Sequence, residues 1–131
     1  MEMYKYENCE QFLEDFYSFK DYFPMVQDYL LKDNCYTNDD WIEWAAVYED
    51  DIILAFLAFR KNPLRPNFSH LSVFEVNIEL RGYGIGTEIL SGYLEENPNC
   101  TLYAEDKNRN FYEFLGFEKD PAERYLYVRQ Q

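Results

Sequence analysis

Histidine occurs once in these 131 residues, at His70, and cysteine three times, at Cys9, Cys35 and Cys100. With no Cys-x-x-Cys pair and no second histidine, no structural zinc site is expected and no metal is assigned. An odd, unpatterned set of cysteines reads as reduced thiols, which points to a cytoplasmic protein. Residues 1–7 carry neither the basic nor the apolar region of a secretory signal, and no apolar run approaches the roughly 18 residues of a membrane helix. Basic residues are scarce as well: 12 Lys and Arg against 25 Asp and Glu leave a net charge of −13. The deficit is uneven, with 14 acidic and 4 basic residues in 1–60 and 11 acidic and 8 basic in 61–131. Such a field repels nucleic acid phosphates and attracts cationic amines; it also serves the solubility of a chain rich in Tyr and Phe.

Hydrophobic residues make up 47% of the chain and aromatics 20%, too rich for disorder. The length suits a single domain over residues 1–131, without repeats, linkers or low-complexity tracts. A short strand is expected at residues 3–6. Two amphipathic helices follow at 8–20 and 22–33, then a polar break over 34–40. Residues 41–48 and 52–60 read as two strands joined by a tight turn, and 62–67 as a loop with two prolines. A long strand is expected over 68–80. Its apolar phase breaks, with Leu71 and Val73 on one parity and Val76, Ile78 and Leu80 on the other. A β-bulge near Phe74 and Glu75 would reconcile them. A helix from Gly84 ends near Asn97-Pro98. A strand at 100–104, a helix at 108–115 capped by Gly116, and a hairpin from 117–119 and 124–129 close the chain.

Glycine is sparse, yet three of the five glycines fall at Gly82, Gly84 and Gly86. They stand where the long strand ends and a helix begins. Bare backbone at a helix N-terminus lets successive N–H groups converge on a phosphate, and the helix dipole adds positive potential. No Lys follows Gly86, which excludes a P-loop, and no third glycine completes a dinucleotide fingerprint.

The pattern Arg81-x-x-Gly84-x-Gly86, with Val76 five residues upstream, resembles the pyrophosphate-binding signature of the GNAT superfamily of N-acetyltransferases. Downstream, Asn108, Phe111-Tyr112 and Gly116-Phe117 resemble that family's second signature. The resemblance covers about the last 60 residues. It implies a mixed α/β fold with a splayed central sheet flanked by helices. It implies acetyl-CoA as cosubstrate, its pantetheine arm lying between the fourth and fifth strands. Phe74, Val76, Arg81, Gly82, Tyr83, Gly84, Ile85, Gly86, Thr87, Asn108 and Tyr112 would bind it. The Val76 N–H would polarise the thioester, and Tyr112 would give a proton to the departing sulfur. Two departures stand out. Asn108 precedes Tyr112 by only four residues, so either the last helix is about a turn short or Asn108 is not the family's CoA-contacting asparagine. Ile78 replaces a proline frequent after the valine.

Acetyl transfer to an amine also needs a group to take a proton from the ammonium. Glu75 and Glu105 are the best-placed carboxylates, while His70 reads as a surface or loop residue. Polyamines, aminoglycosides, lysine side chains and peptide amino termini all stay open as acceptors, as do a monomer and a homodimer. The competing class is an acyl-CoA-binding or acidic interaction protein that keeps the fold without chemistry. An intact Tyr112 favours the enzyme, and the lack of a clear base favours the competitor.

Overall fold

The computed structural model describes residues 1–33 and 42–131. Cys35, the polar break expected over 34–40 and the first position of the expected strand, Trp41, lie outside the described residues.

Seven strands form one sheet in the order β1-β2-β3-β4-β5-β7-β6. In chain order these are β1 (Glu2–Lys5), β2 (Glu43–Glu49), β3 (Ile52–Lys61), β4 (Ser69–Val76), β5 (Cys100–Tyr103), β6 (Glu118–Lys119) and β7 (Leu126–Arg129). All neighbours are antiparallel except β4 and β5, which run parallel and are linked by a crossover helix. That helix is α3 (Ile85–Glu96); the others are α1 (Cys9–Phe19), α2 (Pro24–Asp33) and α4 (Arg109–Phe114). Helices α1 and α2 cover one face, and α3 and α4 the other. Among the described residues no helix is long and apolar enough to cross a membrane.

Local chemistry explains the elements. The Asn8 side chain accepts the Gln11 N–H at 2.9 Å and starts α1. Asp50 and Asp51 both take positive φ, the mirror-image turn that suits the twist of the β2–β3 hairpin. Strand β3 is buried on both faces from Ile53 to Phe59, as befits a central strand whose neighbours both carry helices. Below α1, Phe12 stacks on Trp44 at 3.9 Å and meets Phe56 edge-on, an aromatic cluster that fills the core on this face.

Strand β4 departs from the sequence reading in two ways. Its bulge lies at Ser72 rather than near Phe74 and Glu75: Ala58 pairs with Val73 and Phe59 with Leu71, leaving Ser72 as the extra residue. Leu71 therefore faces α3 while Val73 faces α1 and α2, although their spacing alone puts them on one side. The strand also stops at Val76 instead of Leu80. Asn77 Oδ1 accepts the Glu79 N–H at 3.0 Å, its backbone carbonyl accepts the Leu80 N–H at 2.9 Å, and residues 78–80 curl into a 3-10 turn. His70 is buried rather than a surface histidine, with Nδ1 at 2.8 Å from Thr101 Oγ1. Burial, and then the charge of Arg60, lower its pKa to about 4, so it is neutral near pH 7.

One buried carboxylate joins three of these parts. The first N–H groups of α2 have no intrahelical acceptor. Glu75 supplies it across the sheet, taking Met25 N–H at 3.1 Å on Oε2 and Val26 N–H at 2.7 Å on Oε1. Its Oε2 also receives an Arg81 NH2 at 2.7 Å, and Arg81 Nε donates to the Val76 carbonyl at 3.2 Å. Glu75→Ala leaves two helix N–H groups without an acceptor, that of Val26 buried and that of Met25 partly so. Stability should fall by about 2–3 kcal/mol, read by urea unfolding, and Glu75→Gln, which keeps an acceptor oxygen, should lose less. A Glu75→Ala variant as stable as the parent would contradict this joint.

Candidate active site

Strands β4 and β5 pair only at Ser69–Leu71 against Cys100–Leu102. Beyond that point β4 continues to Val76 while β5 ends at Tyr103, and the sheet opens. Two adjoining clefts occupy the opening, one of about 900 Å³ and one of about 540 Å³. Met25, Phe74, Lys107, Asn108 and Tyr112 line both.

The smaller cleft holds the glycine turn. Gly82 and Gly84 take φ of +90° and +78°, a region that side-chain-bearing residues enter only at a cost. Glu88 N–H is bonded to the Gly84 carbonyl at 3.2 Å, so the N–H groups of Ile85, Gly86 and Thr87 precede the first intrahelical bond of α3. Those three N–H groups have no acceptor within the helix. Gly86 matters for packing instead. A Cβ there would sit 3.4 Å from Val76 Cγ2 and 3.7 Å from the Phe74 and Phe111 rings, so its absence lets α3 lie close on β4. Several unbonded N–H groups at a twelve-residue helix's N-terminus suit an anion with several oxygens, such as a diphosphate. The Arg81 guanidinium stands beside them, pinned by Glu75. Tyr83 is 77% exposed and lines neither cleft, so only its backbone belongs to the turn.

The cleft wall along β4 offers backbone. Asn77 N–H bonds to the Leu54 carbonyl of β3 at 2.8 Å. By strand alternation, the polar groups of Phe74 and Val76 therefore point away from β3, into the opening. Facing them is Tyr112, on α4, its ring edge-on to Phe111 and to Phe117. The Tyr112 hydroxyl has no hydrogen-bond partner among the described residues. Burial, and then the neighbouring Cys100, push its pKa up to about 12, so it remains a neutral proton donor at physiological pH. Asn108 ends a 3-10 turn and opens α4 without a side-chain cap bond, leaving its amide free toward both clefts. Helix α4 has six residues, with Asn108 at its N-cap and Tyr112 one turn on.

The two carboxylates singled out from sequence have different settings. Glu75 has both oxygens committed to three donors. Glu105 lines the larger cleft with its side chain 70% exposed, 3.4 Å from Lys107 Nζ. His70 lines neither cleft. Among the described residues no group of three His, Cys, Asp or Glu could hold a metal ion. The larger cleft has walls with no sequence signature, including Met25 and Tyr29 of α2, Tyr103, Arg124 and Tyr125. Amphipathic spacing in α2 marked the first two only as core. Among the described residues the charges of this cleft are balanced, Asp28, Glu105 and Asp106 against Lys32, Lys107 and Arg124.

The fold is found in solved proteins of distant sequence. Tetrahymena GCN5 superposes with a TM-score of 0.68 at 13% identity, covering 98% of this chain and 95% of that one. Escherichia coli ElaA gives 0.65 at 17% identity, covering 98% and 99%. A Pyrococcus horikoshii OT3 protein gives 0.59 at 22% identity, covering 99% of each chain. At these identities the likeness is one of fold. No curated protein matches the chain. Residues 4–117 match the acetyltransferase (GNAT) family. Strands that part beside an unbonded glycine turn, and a family match over most of the length, lead to one conclusion: the chain belongs to the GNAT family of acetyltransferases, whose reaction is acetyl transfer from acetyl-CoA.

Proposed function

We propose that this acetyltransferase acts on a primary amine, with acetyl-CoA in the smaller cleft and the amine in the larger, and that residues 1–131 work as one domain. The observation that carries the reading is the wall shared by the clefts: Phe74 and Tyr112 line both, where an anion-binding turn meets an aromatic pocket. The N–H groups of residues 82–87 fit the diphosphate of CoA, with Arg81 alongside and Asn108 and the β4 backbone at Phe74 and Val76 along the pantetheine arm. Acetyl-CoA bound there supplies an activated thioester. The Val76 N–H donates to the acyl oxygen as negative charge grows on it. The Tyr112 hydroxyl donates to the sulfur as the C–S bond breaks and the C–N bond forms. Glu75 keeps α2 and the turn in place. Of the two candidate carboxylates Glu105 has oxygens open to the cleft mouth, and it passes the proton of the acceptor ammonium to solvent.

Charge favours an amine over a nucleic acid, because a net −13 repels phosphates at long range. The balanced lining of the larger cleft favours an acceptor whose positive charge is confined to the reacting ammonium, such as a peptide amino terminus, over a polyamine or an aminoglycoside. A cytoplasmic setting supplies both acetyl-CoA and such amines.

Two variants test the parts separately. Gly84→Val forces a β-branched residue to φ near +78°, so CoA affinity by calorimetry should drop by about tenfold or more while far-UV circular dichroism stays native. Unchanged affinity would remove the turn from the binding site. Tyr112→Phe keeps the ring and deletes the donor. Its kcat should fall by about 10²- to 10³-fold with little change in the KM for acetyl-CoA, and stability should move by no more than about 1 kcal/mol. In the parent enzyme the hydroxyl stays protonated until about pH 12, so activity should show no loss from Tyr112 ionisation up to about pH 10. Full turnover in Tyr112→Phe would remove it from the chemistry. Joint loss of CoA affinity and melting temperature would make it a packing residue.

A further inference from the structure

Four non-glycine residues among those described have positive φ: Asp50, Asp51, Asn67 and Tyr125. Asp and Asn tolerate this region in turns, whereas an aromatic residue enters it only under strain. Tyr125, at φ +69°, sits at the rim of the larger cleft. The loop before it is firmly built. Asp120 Oδ1 accepts the N–H groups of Ala122 and Glu123 at 2.8 and 2.9 Å. Lys119 Nζ donates to the carbonyls of Asp120 and Glu123 at 2.8 and 2.7 Å. The Tyr103 hydroxyl donates to Glu123 Oε1 at 3.0 Å, and Ala104 N–H donates to the Tyr125 carbonyl at 2.9 Å. A strained aromatic held this firmly against β5 is positioned, not loose.

Arg124 lies over the Tyr125 ring at 4.8 Å and lines the same cleft. The other two cations of the cleft are paired, Lys32 with Asp28 at 3.0 Å and Lys107 with Glu105 at 3.4 Å. Arg124 alone of the three forms no ion pair among the described residues. A guanidinium held over an aromatic ring still has N–H donors to offer, which suit a carboxylate. Next to it the cleft is apolar, with Leu71, Phe74, Leu102 and Tyr103 on its walls.

We propose that Arg124 and Tyr125 select the acceptor, and that the amine they admit carries a carboxylate beside an aromatic or apolar body, as an amino acid or a short peptide does. The inference rests on the larger cleft being the acceptor's. Arg124 pairs with the carboxylate, Tyr125 covers the apolar body, and the free amine is left to point toward Tyr112.

The test compares kcat/KM within matched pairs: phenylalanine against phenethylamine, and a phenylalanine-containing dipeptide against its C-terminal amide. The full chain with acetyl-CoA should favour the carboxylate member of at least one pair by about tenfold or more. Which pair shows it separates amino acid from peptide. Arg124→Ala should erase the preference through the acceptor KM and leave the KM for acetyl-CoA alone, and Arg124→Glu should reverse it. Tyr125→Gly should raise the acceptor KM without lowering the melting temperature, because glycine accepts φ +69° freely. Equal rates within both pairs, or a preference that survives Arg124→Ala, would overturn the proposal. Transfer to no amine, with acetyl-CoA still bound, would overturn the amine reading itself and this inference with it.

Discussion

The carboxylate of Glu75 is the joint on which the site depends. Its side chain is 1% exposed, yet it holds two backbone N–H groups of α2 and the guanidinium of Arg81. A buried charge is tolerated only when its oxygens are satisfied, and here the partners come from separate elements. The helix that floors one cleft, the strand that walls both, and the residue that opens the glycine turn are thereby fixed to one another. Arg81 extends the chain of bonds to the Val76 carbonyl, at the end of β4. The position of the turn relative to the strand follows from this joint together with the close approach that Gly86 allows.

The second constraint is the parting of β4 and β5. A parallel pair bonded over three residues on each strand leaves the rest of β4 as an edge inside the sheet. Apart from the Val76 carbonyl, which Arg81 takes, such an edge offers backbone groups with no strand to pair to, normally a liability. Here it faces the clefts lined by α2, α4 and the turn. Tyr112 projects across this gap from a helix only six residues long, which brings its hydroxyl between the clefts.

What the sequence made legible was what needs a particular residue type. Positive φ at the turn required Gly82 and Gly84, and the order of the helices and strands followed from apolar periodicity and from proline. The end of β4 was hidden because Ile78 and Leu80 keep the strand's parity, and only the Asn77 side chain diverts the backbone. The bulge at Ser72 was misplaced because parity counts reveal that a phase changes, not where. The role of Glu75 was invisible because its helix partners lie 49 and 50 residues away in the chain. Arg124 and Tyr125 belong to no turn rule. Their placement comes from Asp120, Lys119 and Ala104, contacts that only the folded chain assembles.

The proposed function turns on the backbone of residues 82–87 receiving the diphosphate of CoA. Amide NMR of the labelled protein, titrated with CoA, reads that event residue by residue. The N–H signals of Gly82, Gly84, Ile85, Gly86 and Thr87 should shift together with that of Val76, saturate with one affinity, and weaken as salt is raised. Saturable shifts confined to other parts of the chain, with these six signals unmoved, would contradict the assignment.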